Sequence, residues 1–281
     1  MDRACRQTID SLPQQVIFVS RLVEGEAETS SWRLLDLEYA DAPSNLALEE
    51  AIAGQVGEGK SPSTLRLWRN RNAAIIGENQ SAYAEVRLGA CKELGAEVVR
   101  RFTGGGAVYH DLGNLNYSIC TRRSPSSSLG LQQTVFKRGL DCVAACLRTL
   151  GLESNRVPIN TVVVRGRKIS GGAGAIRWGA VFFHGSILVS TDLEVIWKIL
   201  RWEQLPMIRA LVRSTRFPVT SVQTELGQRI PIDDVKAALS DAFANIFEAQ
   251  LVPGLATDQE VQMIPVLVRE KYGTTEWNLK T

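Results

Sequence analysis

The segment RRFTGGGAVYHDLGN, residues 100–114, sets Arg100 and Arg101 ahead of three consecutive glycines and ends on His110, Asp111 and Asn114. Gly104, Gly105 and Gly106 lack a Cβ, so the backbone there can come close to a ligand and offer its amides to anionic oxygens. Arginine is a planar partner for phosphate, but neighbouring strand residues face opposite sides, so one of the two arginines must point elsewhere. A second segment, GRKISGGAGAIR (166–177), puts Lys168 on a hairpin before another glycine and alanine run that ends in Arg177. A lysine so placed is a compact, mobile charge able to bridge a carboxylate and a phosphate. Taken alone, an exposed hairpin lysine is the commoner reading. HGSILVS (184–190), headed by His184, offers a strand wall beneath both loops. Apolar walls with a few cations suit a ligand with a greasy tail and an anionic head. Nucleotides, acyl chains and acyl adenylates all meet that description.

The elements that must hold these groups are legible as patterns. WRLLDLEYA (32–40) reads as a strand, and after Pro43 the apolar residues Leu48, Ala51, Ile52 and Val56 recur at helical spacing. TLRLW (64–68) and AAIIG (73–77) are expected to pair as strands, with a short helix over 82–94 and a strand at 96–100 that delivers the glycine loop. AVYHD and NLNYSIC read as a hairpin around Leu112 and Gly113. Residues 131–150 form the longest helix, TVVV (161–164) and the Arg165-Gly166 turn lead into the lysine segment, and VFFHGSILVS (181–190) is a long strand. Thr191 with Glu194 has capping-box spacing, a further helix is expected over 233–247, and Thr257 with Glu260 caps a last one that Pro265 should kink. Helices mixed with hairpins, without strict βαβ alternation, predict an α+β fold with a mixed, mainly antiparallel sheet. Residues 1–30 are expected to be an N-terminal extension and 31–281 one catalytic domain.

Composition narrows the function. The chain has 281 residues, 44% hydrophobic and 22% charged, with a formal net charge of +2. Bulk charge therefore gives no drive for nucleic-acid binding. No apolar stretch approaches a membrane span and the N-terminus lacks the order of a secretory signal, so a cytoplasmic protein with no membrane partner is expected. Five cysteines show no paired or CxxC spacing, consistent with reduced thiols; Cys142 and Cys146 read as helix packing. GQVGEGKS (54–61) matches the phosphate-loop pattern, but a helix enters it and a strand leaves, the reverse of the required order. It reads as a connection.

At this point the residues resemble a family. VVRRFTGGGAVYHDLGNLNYSI, GRKISGGAGAIR followed by HGSILV, and KYGTTEWN (271–278) resemble, in order, the motifs of lipoate-protein ligases. The likeness runs from about residue 32 to 279. It implies the biotin and lipoate ligase catalytic fold and two steps: ATP and lipoate give lipoyl-AMP, then the acyl group passes to a lysine of a lipoyl domain or glycine-cleavage H-type protein. By position it implies Lys168 as the catalytic cation, touching the lipoyl carbonyl and the phosphate. Arg101, Thr103, Gly105, Gly106, Ala107, Val108, Tyr109, His110, Gly172 and Ala173 would contact the adenylate. Arg100, Asn114, Asn160, Arg177 and His184 are weaker candidates. ATP with Mg2+ and lipoate are implied as substrates, with no tightly bound cofactor. The family often has an acidic residue where Thr161 follows Asn160, so the metal ligands stay unassigned. The likeness ends near EWN (276–278), which implies a short form with a separate accessory subunit. An octanoyl or lipoyl transferase of the same fold, drawing on an acyl-carrier donor through a cysteine thioester, is the first rival. Residues 147–167 contain no cysteine to serve it. A non-catalytic lipoate- or adenylate-binding module is the second, and a biotin ligase fits RRFTGGGAV less well.

Overall fold

A computed structural model describes residues 30–123, 130–158, 160–201, 214 and 217–280, so the expected extension lies almost wholly outside the described residues. In chain order the first half runs β1 (Ser30–Asp36), α1 (Ala42–Gly57), β2 (Thr64–Trp68), β3 (Asn72–Ile76), α2 (Ala82–Glu85), α3 (Leu88–Glu93), β4 (Glu97–Arg100), β5 (Val108–Asp111) and β6 (Asn114–Arg122). The second half runs α4 (Gly130–Thr149), β7 (Ser154–Val157), β8 (Thr161–Val164), β9 (Arg167–Arg177), β10 (Ala180–Leu188), α5 (Leu193–Ile199), α6 (Val222–Leu226), α7 (Ile232–Phe247), β11 (Ala249–Pro253), α8 (Asp258–Leu267), a π turn (Val268–Tyr272) and α9 (Thr275–Asn278).

The strands divide between two sheets. An eight-stranded sheet has the order β11-β1-β2-β6-β10-β9-β8-β7, parallel where β1 meets β11 and β2 and antiparallel elsewhere. A three-stranded sheet has the order β4-β3-β5. The fold is thus α+β with a mixed, mainly antiparallel main sheet. Two local pairings expected from the sequence do not form. β2 and β3 sit in different sheets, and so do β5 and β6, because the chain crosses between sheets at the polar 69–71 link and again at Leu112-Gly113. Adjacency in sequence favours a hairpin, but each strand here finds a more distant partner that completes a buried face.

Those faces define the layers. Leu115, Tyr117 and Ile119 of β6 and Val181, Phe183 and Ile187 of β10 face α4 and α7. On the other face of the main sheet lies α1, with Leu46, Ala47, Leu48, Ile52 and Ala53 all buried, as befits a helix apolar around most of its circumference. The small sheet leans on α1 with one face and on α2, α3 and α5 with the other. Three smaller expectations also change. The 82–94 helix breaks into α2 and α3 at Val86, which bridges Leu200. Asp192, not Thr191, caps α5, accepting from the Glu194 and Val195 amides. Pro265 lies within α8, which passes into the π turn and is followed by α9.

A buried ion pair ties these layers together. Arg33 of β1 donates to both Glu260 oxygens at 2.8 and 2.7 Å, and Glu260 also accepts from Ser61 Oγ and the Thr257 amide. The phosphate-loop lookalike at 54–61 is thereby accounted for: Ser61 serves Glu260, and Lys60 pairs with Glu58. Burial alone would raise the Glu260 carboxyl, but Arg33, the Thr257 amide and Ser61 outweigh it and hold it below its usual 4.5. Removing one partner of a buried pair strands the other charge. Glu260→Ala is expected to lower the unfolding free energy by about 3–5 kcal/mol in urea titration. In the wild type, Glu260's contribution is present above about pH 4.5 and fades as pH falls through its lowered value.

Candidate active site

A cleft of about 330 Å³ opens between the main sheet, the N-terminal half of α1 and the glycine loop. Its floor follows from strand register. Trp68, Asn116, Ser186, Gly171 and Thr161 are successive cross-strand partners on β2, β6, β10, β9 and β8, and all line the cleft. A smaller lobe of about 70 Å³, bounded by Tyr109, Leu188, Ile196, Leu200 and Val219, adjoins it. The two share Ala107, Val108, Lys168, Gly171, Ser186, Ser214 and Phe217.

Lys168 stands at this junction because of a β-bulge. Val163 pairs with Lys168 and Val162 with Ser170, leaving Ile169 as an extra residue on β9. Residues three apart on a regular strand face opposite sides; the bulge brings Lys168 and Gly171 to the same one. A Cβ on Gly171 would stand 2.8 Å from Lys168 Cε and Nζ, so a side chain there would displace the end of the lysine. Backbone bonds from Lys168 N to Pro218 O and from Thr220 N to Lys168 O fix the strand on its other side. Burial, aided by Arg101, lowers the Lys168 ammonium below its usual 10.5. Among the described residues, its Nζ has no hydrogen-bond or ion-pair partner.

Arg101 shapes the glycine loop. Its guanidinium donates to the carbonyls of Gly104 (2.6 Å), Gly106 (2.8 Å) and Ile75 (3.3 Å) and, through Nε, to Thr103 Oγ1. Burial pushes it down to about 10. With carbonyls engaged on that side and Gly105 at φ +90°, the amides of Gly104, Gly105 and Gly106 donate to no group among the described residues. The Ala107 amide donates to Ser214 Oγ, which donates in turn to Glu85. The loop is a concavity of N–H groups suited to an anion.

Two histidines line the cleft beside it. Asn45 donates to Asn70 Oδ1, so Asn70 Nδ2 faces His110 Nδ1 as a donor, and His110 carries its proton on Nε2. His184 Nδ1 lies 3.0 Å from both oxygens of Glu49, and its Nε2 is 2.7 Å from Thr103 Oγ1. Because Thr103 already accepts from Arg101, its hydroxyl proton is free to go to His184. A chain of bonds thus runs from α1 through β10 to the loop.

The sequence-derived residues separate accordingly. Arg101, Gly105, Gly106, Ala107, Val108, His110, Asn160, Lys168, Gly172, Ala173 and His184 line the cleft, Tyr109 lines the second lobe, and Thr103 lies beneath it. Three weaker candidates do not line either lobe. Arg100 points away and donates to the carbonyls of Gly77, Glu78, Gln80, Trp277, Asn278 and Lys280, fastening the C-terminal turn. Asn114 is bound to Asn116, and Arg177 pairs with Glu78. Sequence reasoning missed Glu49, Trp68 and Asn116. A charge at a core position of an apolar helix marks Glu49, and the polar alternation Asn114-Asn116-Ser118 marks a floor.

The described lining of the cleft does not suit a protein-held Mg2+. Among its described lining residues the only carboxylate is Glu49, taken up by His184, and Asn160 Nδ2 donates to Gly172 O with Thr161 beside it. No group of three His, Cys, Asp or Glu gathers among the described residues. None of the described cysteines lines the cleft; Cys91, Cys120, Cys142 and Cys146 are buried, with burial pushing each thiol up.

The model of the lipoyl protein ligase A/B catalytic domain matches residues 41–244. Lipoate-protein ligase A subunit 1 of Thermoplasma acidophilum is 35% identical over 258 residues, 88% of this chain and 96% of that protein. Octanoyltransferase LipM of Brevibacillus brevis is 30% identical, covering 89% of this chain and 99% of its own. Among solved structures, the bi-partite lipoate protein ligase of T. acidophilum, determined in a study with its E2 lipoyl domain, superposes with a TM-score of 0.76 at 33% identity, covering 89% of this chain and 96% of that one. A lipoate-protein ligase A bound with ATP gives 0.76 at 32%, covering 89% and 98%.

His110 yields a test of the geometry. Burial first, then Arg101 and His184, push its imidazole down from 6.5 to about 3. The unfolded chain takes up a proton below 6.5 that the native site refuses, so stability is lost as pH falls. The loss between pH 7 and pH 5 is about 2 kcal/mol. His110→Gln is expected to remove that part of the pH dependence in urea titrations at the two pH values; parallel losses in variant and wild type would contradict the buried neutral imidazole.

Proposed function

We propose that this chain, which belongs to the lipoyl protein ligase A/B catalytic family, forms lipoyl-AMP from lipoate and ATP and transfers the lipoyl group to a lysine of a lipoyl domain. The observation that carries this reading is the two-lobed cleft joined at Lys168 and the glycine loop. An acyl adenylate joins an acyl tail and a nucleoside at a phosphate and a carbonyl, the chemistry that a lysine and a run of loop amides at one junction would serve. The lipoate carboxylate attacks the α-phosphorus of ATP and releases pyrophosphate. The amine of the acceptor lysine then attacks the carbonyl and releases AMP. In this reading Lys168 Nζ meets the negative charge that grows in both steps, with the loop amides as further donors, a preorganised role of the oxyanion-hole type. The described residues of the cleft gather no set of magnesium ligands, and the reading gives this neutralisation to Lys168.

The LipM relative raises the alternative of an octanoyl transfer through a cysteine thioester. A thioester-forming cysteine needs a lowered pKa and access. The described cysteines have neither, which favours the adenylate route. The Thermoplasma relative's designation as subunit 1 and the bi-partite ligase structure favour a separate accessory subunit for the activation step. The reading extends to glycine-cleavage H-type acceptors and to a cytoplasmic setting.

Intact-mass measurement of a lipoyl-domain acceptor tests this. A lipoyl mass increase is expected from preformed lipoyl-AMP, with Lys168→Ala slower by about 100-fold or more. From ATP and free lipoate the same increase is expected once an accessory subunit is added. Acylation from an octanoyl-carrier donor but not from lipoyl-AMP would replace this reading with the transferase.

A further inference from the structure

Two neighbouring cations on β9 go to different places: Lys168 lines the cleft and Arg167 does not. Successive strand side chains face opposite sides, so a shift of one residue would exchange them. The group that meets Arg167 on the other side is Glu225 of α6. Its Oε1 lies 2.6 Å from Arg167 Nη2 and accepts from Thr220 Oγ1, also at 2.6 Å, while its Oε2 lies 3.6 Å from Arg165 Nη1. The Glu225 side chain is 0% exposed, so this carboxylate depends on those partners. A Lys168 exchanged into the place of Arg167 would fall to the same carboxylate and be lost to the cleft.

At this point the ladders constrain the strand least. β10 pairs with β9 as far as Ser170, and towards Lys168 residues 218–220 take its place, with Lys168 N donating to Pro218 O and Thr220 N to Lys168 O. On the opposite edge the bulge at Ile169 shifts the register against β8. The turn that enters β9 has positive φ at Arg165 (49°) as well as at Gly166 (74°), a conformation that arginine rarely adopts. Glu225 reaches all three weak points: Arg165 in the turn, Arg167 at the head of the strand and Thr220 in the segment that replaces β10.

We propose that Glu225 is a positioning residue: by binding Arg167 and Thr220 it fixes the face of β9 that turns Lys168 into the cleft. The inference deepens the ligase reading, on which its activity measurement rests, while its NMR measurement stands without that reading. The test uses Glu225→Gln, which keeps the size and an acceptor but removes the charge. Arg167→Gln breaks the pair from its partly exposed end and carries the test should the first variant fail to fold. NMR of the labelled lysine Cε, assigned with Lys168→Arg, follows the burial that holds the Lys168 ammonium below 10.5. In each variant that titration is expected to move back towards its ordinary range. Lipoyl transfer from lipoyl-AMP to a lipoyl domain is expected to slow by about tenfold, as for a reacting group displaced by about 1 Å or less. In a Lys168→Ala background Glu225→Gln should cost no further activity, because its effect passes through the lysine. Variants that leave the Lys168 titration at its wild-type value, or a Glu225→Gln loss that persists in full without Lys168, would overturn the proposal. Wild-type protein that transfers nothing would overturn the ligase reading, and the titration would still decide what Glu225 does for Lys168.

Discussion

Lys168 carries its charge into a cleft in which Glu49, the one carboxylate among the described lining residues, is already engaged by His184. Desolvation without a counter-ion disfavours the ammonium, and an arriving phosphate or carboxylate relieves that cost. Everything around the residue maintains this condition. The bulge at Ile169 turns it inward, the absent Cβ of Gly171 leaves it a path, and the Pro218 and Thr220 backbone bonds keep the strand in register. A salt bridge to Lys168 from the protein itself would make the residue a structural pair and close the site to an anion.

The loop opposite follows the same logic with the opposite outcome. Arg101 is also buried, but its guanidinium is engaged by carbonyls of the loop it precedes. The guanidinium fork takes carbonyl acceptors of the loop, and the Gly104, Gly105 and Gly106 amides donate to no group among the described residues. The Glu49–His184–Thr103 chain then anchors Arg101 to α1 and β10, so the loop's shape depends on a helix buried between two sheets. Two cations in one small space are held differently: Arg101 is bound by the loop's carbonyls, and Lys168 Nζ has no partner among the described residues.

Much of this was legible from residue order. The glycine loop, the lysine hairpin, the long α4 and the capping box at Thr257 and Glu260 are local patterns, and the structure has them at those positions. Strand partnership was not legible, since β3 and β5 look like halves of hairpins with β2 and β6 until the burial of both sheet faces is considered. The choice between Arg100 and Arg101 followed from strand alternation in principle, yet its direction depended on the C-terminal turn, whose carbonyls capture Arg100. Glu49 stands out in the sequence as a charge at a core position of an apolar helix, but its partner His184, 135 residues away, is set by tertiary packing that residue order does not show. Asp192 displaced Thr191 as a cap for a simpler reason: both types cap well, and the β10 exit decided which one reached the amides.

The most direct test of the account is the titration of Lys168 itself. Carbon-detected NMR of the labelled lysine Cε, assigned with Lys168→Arg, would follow its ammonium in the free protein and with a lipoyl sulfamoyl-adenylate. The account predicts a value below the ordinary 10.5 in the free protein and a clear rise when the ligand is bound. A Lys168 that titrates at its ordinary value and is unmoved by the ligand would contradict the placement of this charge against the reacting phosphate.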